Sequence, residues 1–349
     1  MHQHVKDRRR YPAEWAALNR ELKAIEHCDG NLLNVVERLR EHQFAKGFIR
    51  DDLHAVQCYS FPDPQNPAHF FSVQYNPARV KRLKIRVGAR PPPRGDAVND
   101  DCQLCSNNIE WQHKGIEMGY EIEINRAPFI IWMNAYPLMP VHIVVATQEH
   151  MPQAWDLGSA GVRCFAIHEI VANLAAMAQR LPGYIGLYNG EGAGTSVPAH
   201  FHYQLFKRRN AAERFPLELA PVRQVADLLS VVEDYPVDAV RWSGDDSTEV
   251  IMRATNWINE WLIANMDTRP NLSANIFAMT DASGELLEIY FVPRDKAQGH
   301  SPRMAGMIGS LEILGELVLT TENEKLDLDR GKLDYRSLAR ILADIRVPL

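Results

Sequence analysis

Between Tyr188 and Gln204 the chain reads Tyr-Asn-Gly-Glu-Gly-Ala-Gly-Thr-Ser-Val-Pro-Ala-His-Phe-His-Tyr-Gln, and no other stretch gathers as many chemically capable side chains. On an extended strand alternate residues share a face, so His200, His202 and Gln204 form a row while Phe201, Tyr203 and Leu205 turn into the packing behind them. The loop before the row offers a backbone that an anion can approach closely, because Gly190, Gly192 and Gly194 lack side chains. Thr195 and Ser196 add hydroxyl donors. An imidazole beside an anion site of this kind is suited to attack phosphorus. The same letters also describe a glycine-rich turn and a strand with two half-buried histidines, so the row alone leaves both readings open.

Cys102-Gln-Leu-Cys105 is the second chemical element. Two thiolates from one tight turn can grip a metal, but zinc takes four ligands and the other cysteines, Cys28, Cys58 and Cys164, are scattered. The pair by itself is half a metal site or two buried thiols. His168-Glu169 is no zincin motif, since Ala172 and Asn173 stand where the second histidine belongs, and no Lys-Ser/Thr follows the glycine loop as a P-loop requires. The run Lys207-Arg208-Arg209 reads equally as a solvated strand end and as a phosphate contact.

The elements that must position these residues follow from periodicity. Helical spacing covers Ala13 to Glu26 and Asn31 to Phe44, strands are expected at Phe70 to Tyr75, Tyr120 to Ile124, Pro128 to Asn134 and His142 to Ala146, and a long helix at Ala160 to Arg180. Strands at Tyr184 to Tyr188 and His200 to Phe206 follow. Arg86 to Asp101, with Pro91-Pro-Pro93, reads as a loop that delivers the Cys pair. The apolar stretch from Ala127 to Thr147 is interrupted by Asn134, Pro137, Pro140 and His142, so it reads as strand, turn, strand and not as a membrane span. After Pro216, a helix over Thr248 to Ala264 precedes a hairpin formed by Asn275 to Thr280, a turn at Asp281 to Gly284, and Leu286 to Pro293. This repeats the strand-turn-strand pattern of Pro128 to Ala146.

With 349 residues, 46% hydrophobic content and a net charge of −6, the chain can bury a large core, and its balance argues against a nucleic-acid-coating surface. The N-terminal segment has no apolar run of the secretory kind, and five cysteines without one suggest reduced thiols, so a cytoplasmic location is expected.

Several motifs together resemble the histidine-triad superfamily. They are Gln74-Tyr-Asn-Pro-Ala-Arg79, Cys102-x-x-Cys105, Asn134-Ala-Tyr-Pro137, Pro140-Val-His142, His150-Met-Pro-Gln153 and the His200 segment. The resemblance is to the branch whose third histidine is glutamine, with galactose-1-phosphate uridylyltransferase, dinucleoside-tetraphosphate phosphorylase and the plant-type GDP-hexose phosphorylases. It is nearest to an uncharacterised bacterial group related to those phosphorylases, and covers Val73 to Lys207 well. One departure stands out: His200 follows Ser196 by four residues, where many relatives have three.

The resemblance implies an α+β fold of two histidine-triad-like halves, each an antiparallel sheet with helices, behind an N-terminal helical segment. The expected boundaries are 1–68, 69–215 and 216–349, with the second half diverged and lacking His-x-His, and its hairpin at Leu272 to Pro293 related to Pro128 to Ala146 by an internal two-fold. It implies His202 as the nucleophile that takes up a nucleotidyl group, and Gln204 as the amide holding a phosphoryl oxygen. Asn189, Gly194, Thr195 and Ser196 become phosphate-loop candidates, with Arg79 and Arg294 as further contacts to an anionic substrate. It also supplies the missing ligands of a structural Zn²⁺, His150 and His200, beside Cys102 and Cys105, with His142 and His113 as competitors and no organic cofactor. A sugar phosphate is a weak base that leaves without a proton from a general acid, so an amide suffices where a third histidine would otherwise stand. The implied activity is a nucleotidyltransferase or phosphorylase on a nucleoside-diphosphate sugar, most specifically a GDP-hexose phosphorylase. Hexose-1-phosphate uridylyltransferase, dinucleoside polyphosphate phosphorylase and a non-catalytic zinc-containing nucleotide-binding protein are the alternatives. Partners are then a nucleotide sugar with phosphate or a sugar phosphate, without nucleic acid or membrane; a homodimer is left open.

Overall fold

The computed structural model describes residues 10–49, 53–79, 102–106, 108–109, 115–156 and 163–349. The expected loop at Arg86 to Asp101 and the competing ligand His113 lie outside them. Two helices open the described chain, α1 (Tyr11–Asp29) and α2 (Leu33–Ala45). Pro12 stands in the first turn of α1, and Gly30 at φ 68° closes it with a left-handed cap that returns its N–H to Glu26. Strands β1 (Gln57–Pro62) and β2 (Phe70–Tyr75) follow, then β3 (Tyr120–Ile124), β4 (Ala127–Met133) and β5 (Ile143–Thr147). The two-residue strands β6 (Trp155–Asp156) and β7 (Phe165–Ala166) lead into α3 (Ile167–Arg180), then β8 (Tyr184–Asn189) and β9 (His202–Lys207). Glu169 serves as the cap of α3, accepting the Ala166 N–H at 2.8 Å.

The remainder begins with the short helix α4 (Pro216–Leu219), β10 (Val222–Ala226), β11 (Leu229–Val232) and β12 (Val240–Gly244). Helix α5 (Ser247–Asn265) starts at Asp246, whose carboxylate accepts the N–H groups of Thr248 and Glu249. The hairpin β13 (Leu272–Thr280) and β14 (Leu287–Asp295), α6 (Ser310–Ile313), β15 (Glu316–Leu319), α7 (Glu322–Asp329) and α8 (Tyr335–Ala343) complete the chain.

Ten strands form one sheet in the order β10-β11-β12-β14-β13-β8-β9-β5-β4-β3, every neighbour antiparallel. Each half follows one path: a three-strand meander, a helix, then a hairpin whose second strand joins the meander's third. The hairpins' first strands, β8 and β13, pair at the centre, with Leu187 opposite Phe277. This corrects the expected internal correspondence. The β13–β14 hairpin is the topological counterpart of β8–β9, not of Pro128 to Ala146, because it is the second strand of each hairpin that joins its meander. Apolar strand-turn-strand patterns look alike in sequence; only the pairing separates them.

The N-terminal segment is also not purely helical. It contains β1, and β1-β2-β15 form a second sheet in which β2 and β15 run parallel, tying residues 57–75 to residues 316–319. Helix α1 closes the β3 edge of the large sheet. Trp15 Nε1 and Asn19 Nδ2 donate to the Gly119 carbonyl at 2.7 and 3.0 Å, and Asn19 Oδ1 accepts the Glu121 N–H at 2.8 Å. Apolar residues of α1, α2, α3 and α5 join one sheet face in the main core, where Phe201, Tyr203 and Leu205 are fully buried. The opposite face carries the polar residues described next. Among the described residues no helix is long and apolar enough to cross a membrane.

Candidate active site

Strand alternation sets the site's first feature. Because Phe201, Tyr203 and Leu205 are anchored in the core, His202 and Gln204 are forced to the other face. His200 lies just before β9 and is completely buried. Its Nε2 is 2.8 Å from the Thr147 carbonyl, which can only accept, so that nitrogen bears the proton and Nδ1 presents its lone pair. That Nδ1 is 3.3 Å from Cys102 Sγ and 3.5 Å from Cys105 Sγ, while His150 Nδ1 is 3.2 Å from Cys105 Sγ. The four ligand atoms of Cys102, Cys105, His150 and His200 all lie within 4.8 Å of one another. A hydrogen bond from the Cys105 thiol pulls Cys102 well below the ordinary thiol range against its burial, with His200 adding to the pull; the same bond pushes Cys105 up. Two sulfurs and two imidazoles, one of them with its far nitrogen held by a carbonyl, make a donor set that suits a four-coordinate zinc-type ion. The competitor His142 is not among them.

His202 repeats this tautomer logic with a different outcome. Its Nδ1 is 2.8 Å from the His200 carbonyl, so Nδ1 carries the proton and the lone pair lies on Nε2. The backbone beneath it is spread by Gln153, a buried side chain whose Oε1 accepts the His202 N–H at 2.7 Å. Its Nε2 donates to the carbonyls of Asn189 and His202, both at 2.9 Å. The last direct rung between β8 and β9 joins Leu187 to Gln204. Beyond it, the Gln153 amide replaces the ladder and keeps Asn189 opposite His202.

His142 proves to be the residue that orients Gln204. Its Nδ1 accepts the Leu138 N–H at 3.2 Å, so Nε2 bears the proton and donates at 2.9 Å to Gln204 Oε1. The Gln204 amide nitrogen is thereby turned away from His142, as a donor. His142 also lines a cavity of about 330 Å³, together with Phe44, Ile49, Met133, Asn134 and Val141.

The loop residues divide. Asn189 is buried beside His202, and its Oδ1 accepts from Asn275 Nδ2 at 2.7 Å and from the Ser310 N–H at 3.1 Å. Thr195 is buried with a hydroxyl that has no partner among the described residues. Ser196 is partly buried. The glycines answer first to protein neighbours: a Cβ on Gly194, at φ 106°, would fall 2.2 Å from the Gly309 Cα, and one on Gly192 would fall 2.5 Å from the Lys296 Cα. Close packing against the second half thus accounts for them without an anion. Arg79 gives one guanidinium N–H to the Tyr136 carbonyl at 2.9 Å, bracing the β4–β5 loop.

Arg294 requires a correction. Expected to meet an anionic substrate, it is fully buried and donates to Asn275 Oδ1 at 2.6 Å and to the Ile308 carbonyl at 3.0 Å. Strand β14 places it behind the site and not on its surface. The basic run after β9 is spent within the fold: Lys207 pairs with Glu37, Arg208 with Glu218, and Arg209 with Glu213 and Glu316. Sequence reasoning missed Asn275 and Ser310 as site-building residues. An asparagine inside the apolar run of β13 was their one visible signal.

A family described as "Domain of unknown function (DUF4922)" matches residues 37–207, the segment holding the Cys pair, His142 and His202. No curated protein matches the chain. Among solved structures, yeast Ap4A phosphorylase Apa2 in complex with AMP aligns with a TM-score of 0.57 at 14% identity, over 89% of this chain and 97% of that one. A second structure of the same enzyme aligns at 0.56 and 13%, over 89% and 98%. An ADP-glucose phosphorylase from Arabidopsis thaliana with bound ADP-glucose shares 14% identity over 84% of this chain and 99% of that one, at a TM-score of 0.36. At these identities the likeness to the yeast enzyme speaks for the fold: this chain has the α+β architecture of that phosphorylase along nearly its whole length.

Proposed function

We propose that this protein transfers a nucleotidyl group through a covalent intermediate on His202, as a phosphorylase of nucleotide phosphoanhydrides. The observation that carries the reading is the tautomer of His202: the carbonyl of His200 at 2.8 Å holds the proton on Nδ1 and leaves Nε2 as the nucleophilic nitrogen. In the first step Nε2 attacks the α-phosphorus, a P–N bond forms, and the P–O bond to the leaving phosphate group breaks. The ring becomes cationic, and the Nδ1–H bond to the carbonyl strengthens as it does so. The leaving group departs as a phosphate anion without needing a proton. In the second step an oxygen of inorganic phosphate attacks the same phosphorus, the P–N bond breaks, and the neutral ring returns.

Gln204 donates to a non-bridging phosphoryl oxygen, with His142 fixing which end of its amide faces the substrate. Thr195, Ser196, the loop at Gly194 and Arg79 are the further phosphate contacts of this reading. The cavity beside His142 has room for a nucleoside, with Arg40, His54 and Asn134 as further polar groups among apolar side chains. Cys102, Cys105, His150 and His200 would hold Zn²⁺. With all four positions taken by protein, the ion would stiffen the turn that presents the His200 carbonyl to His202 and leave no open site for substrate.

The finer reading is that the donor is a nucleoside-diphosphate sugar, with GDP-hexose the most specific candidate; the yeast fold neighbour supports a dinucleoside polyphosphate as the competing donor. Incubation with α-³²P-labelled GDP-hexose, ADP-glucose, UDP-glucose and Ap4A, with and without phosphate, decides between them. The donor that yields a phosphate-dependent nucleoside diphosphate is the substrate. A protein that binds these nucleotides and converts none is a binding protein, and the enzymatic reading fails.

A further inference from the structure

The most anomalous group in the molecule is the Arg294 side chain. It is fully buried, no carboxylate among the described residues lies within ion-pair distance of it, the buried Glu312 acting on it only from farther off, and its Nε has no acceptor there. Burial lowers its pKa to about 10, so it remains charged near neutrality. A buried charge without a direct ion pair is costly, and an apolar side chain would serve stability better. What the charge does can be followed bond by bond.

Arginine only donates, so the Asn275 oxygen must face Arg294 Nη1 at 2.6 Å. Asn275 Nδ2 must then face the other way, where it lies 2.7 Å from both Asn189 Oδ1 and the Ala193 carbonyl. The Ala193 carbonyl only accepts, which fixes the same orientation independently. Asn189 Oδ1 also accepts from the Ser310 N–H at 3.1 Å and from the Ser310 hydroxyl. Asn189 Nδ2 has no partner among the described residues, and it is not among the sealed-off polar atoms. Register places Asn275 directly opposite Asn189, and Asn189 one step beyond the rung that joins Leu187 to Gln204, on the face of His202.

We infer that Arg294, Asn275 and Asn189 form an amide relay, in which a buried charge in the second half turns the Asn189 Nδ2 donor toward the anionic groups of a ligand at His202. Arg294 and Asn275 are positioning residues; Asn189 makes the contact. Each bond polarises the next, so the donor at the end of the relay is stronger than an isolated amide. The ligand's identity rests on the nucleotidyl-transfer reading, whereas the orientation of the amides does not.

Asn275→Asp separates this role from a structural one. The new carboxylate pairs with Arg294, which offsets the loss of the donor to the Ala193 carbonyl, yet it cannot donate to Asn189, whose amide is then held by Ser310 alone. AMP binding measured calorimetrically should weaken by roughly 10- to 100-fold, the range of a hydrogen bond to a charged group. Arg294→Lys, which keeps a cationic donor, should bind AMP better than Arg294→Leu. Unchanged AMP affinity in Asn275→Asp overturns the relay. A second measurement needs no ligand: in protein labelled with ¹⁵N-asparagine, the side-chain amide protons of Asn275 should exchange slowly and those of Asn189 quickly. The reverse order overturns the relay by itself. If the wild-type protein does not bind AMP, the nucleotide reading is what fails, and the exchange order still decides the relay.

Discussion

The two halves of the large sheet share a path but not a chemistry. On the face where β9 presents His202 and Gln204, its counterpart β14 presents Glu288, Tyr290, Val292 and Arg294. Glu288 is tied to Arg241 in an ion pair, while Tyr290 and Val292 are packed into the core beneath β15. Both rows are largely buried, but the first half orients its His202 and Gln204 through fixed hydrogen-bond partners, while the second half meets the first through Asn275 and Arg294. The difference teaches that two halves following one path can keep the same sheet geometry while only one carries the histidine–glutamine row, the other supplying the neighbours that shape its glycine loop.

The sharpest way to break the comparison is to remove the nucleophile. His202→Ala should abolish turnover and leave nucleotide binding largely intact, with imidazole restoring some activity to His202→Gly. Label from an α-phosphoryl donor should be trapped on the wild-type protein, stable to base and labile to acid; trapping on His202→Ala protein would sink the assignment. Tyr290→Phe on the silent counterpart strand should leave both readouts unchanged.

Gln204→Ala comes next. Loss of one phosphoryl donor should slow turnover by no more than about 10²–10³-fold. Zinc analysis tests the first half's other specialisation: purified protein should carry about one zinc per chain, and Cys105→Ser should lose it. Chelation should lower the melting temperature by several degrees, at roughly 2–4 °C per kcal/mol of lost stability for a large domain. The smallest effect belongs to His142→Ala. It should slow turnover by about tenfold through misorientation of Gln204, the cost of one hydrogen bond. Combined with Gln204→Ala it should add almost nothing, and additivity in that cycle would mean the two side chains act separately.

Much of the first half is legible in the order of its residues. The period-two row at His200, His202 and Gln204, the Cys-x-x-Cys spacing, and strands such as Phe70–Tyr75 and Tyr120–Ile124 are local patterns, and β2 and β3 occupy those ranges. The second half is less legible. Its meander β10–β12 gives no strand signal at its start, because Val222–Ala226 is exposed along its whole length and shows no apolar alternation. Arg294 misleads for a related reason: an arginine near a hairpin end reads as surface, and only the packing of residues 304–314 over β14 and β13 buries it.

Sequence alone determined that His202 and Gln204 share one face of β9, since a strand's side chains alternate whatever surrounds it. Two helix starts are also local, where Asp246 and Asp334 satisfy N–H groups two or three residues away, although the start expected at Ala160 falls at Ile167. Tertiary structure decided the rest. His142 orients Gln204 across 62 residues, Asn275 orients Asn189 across 86, and the glycine loop is shaped by Gly309 and Lys296 of the other half. Caps and alternation are satisfied within a few residues of chain, whereas the partner of a buried amide or imidazole depends on which strands pair and in what register. That choice is made by burying apolar faces and satisfying polar groups over the whole sheet at once.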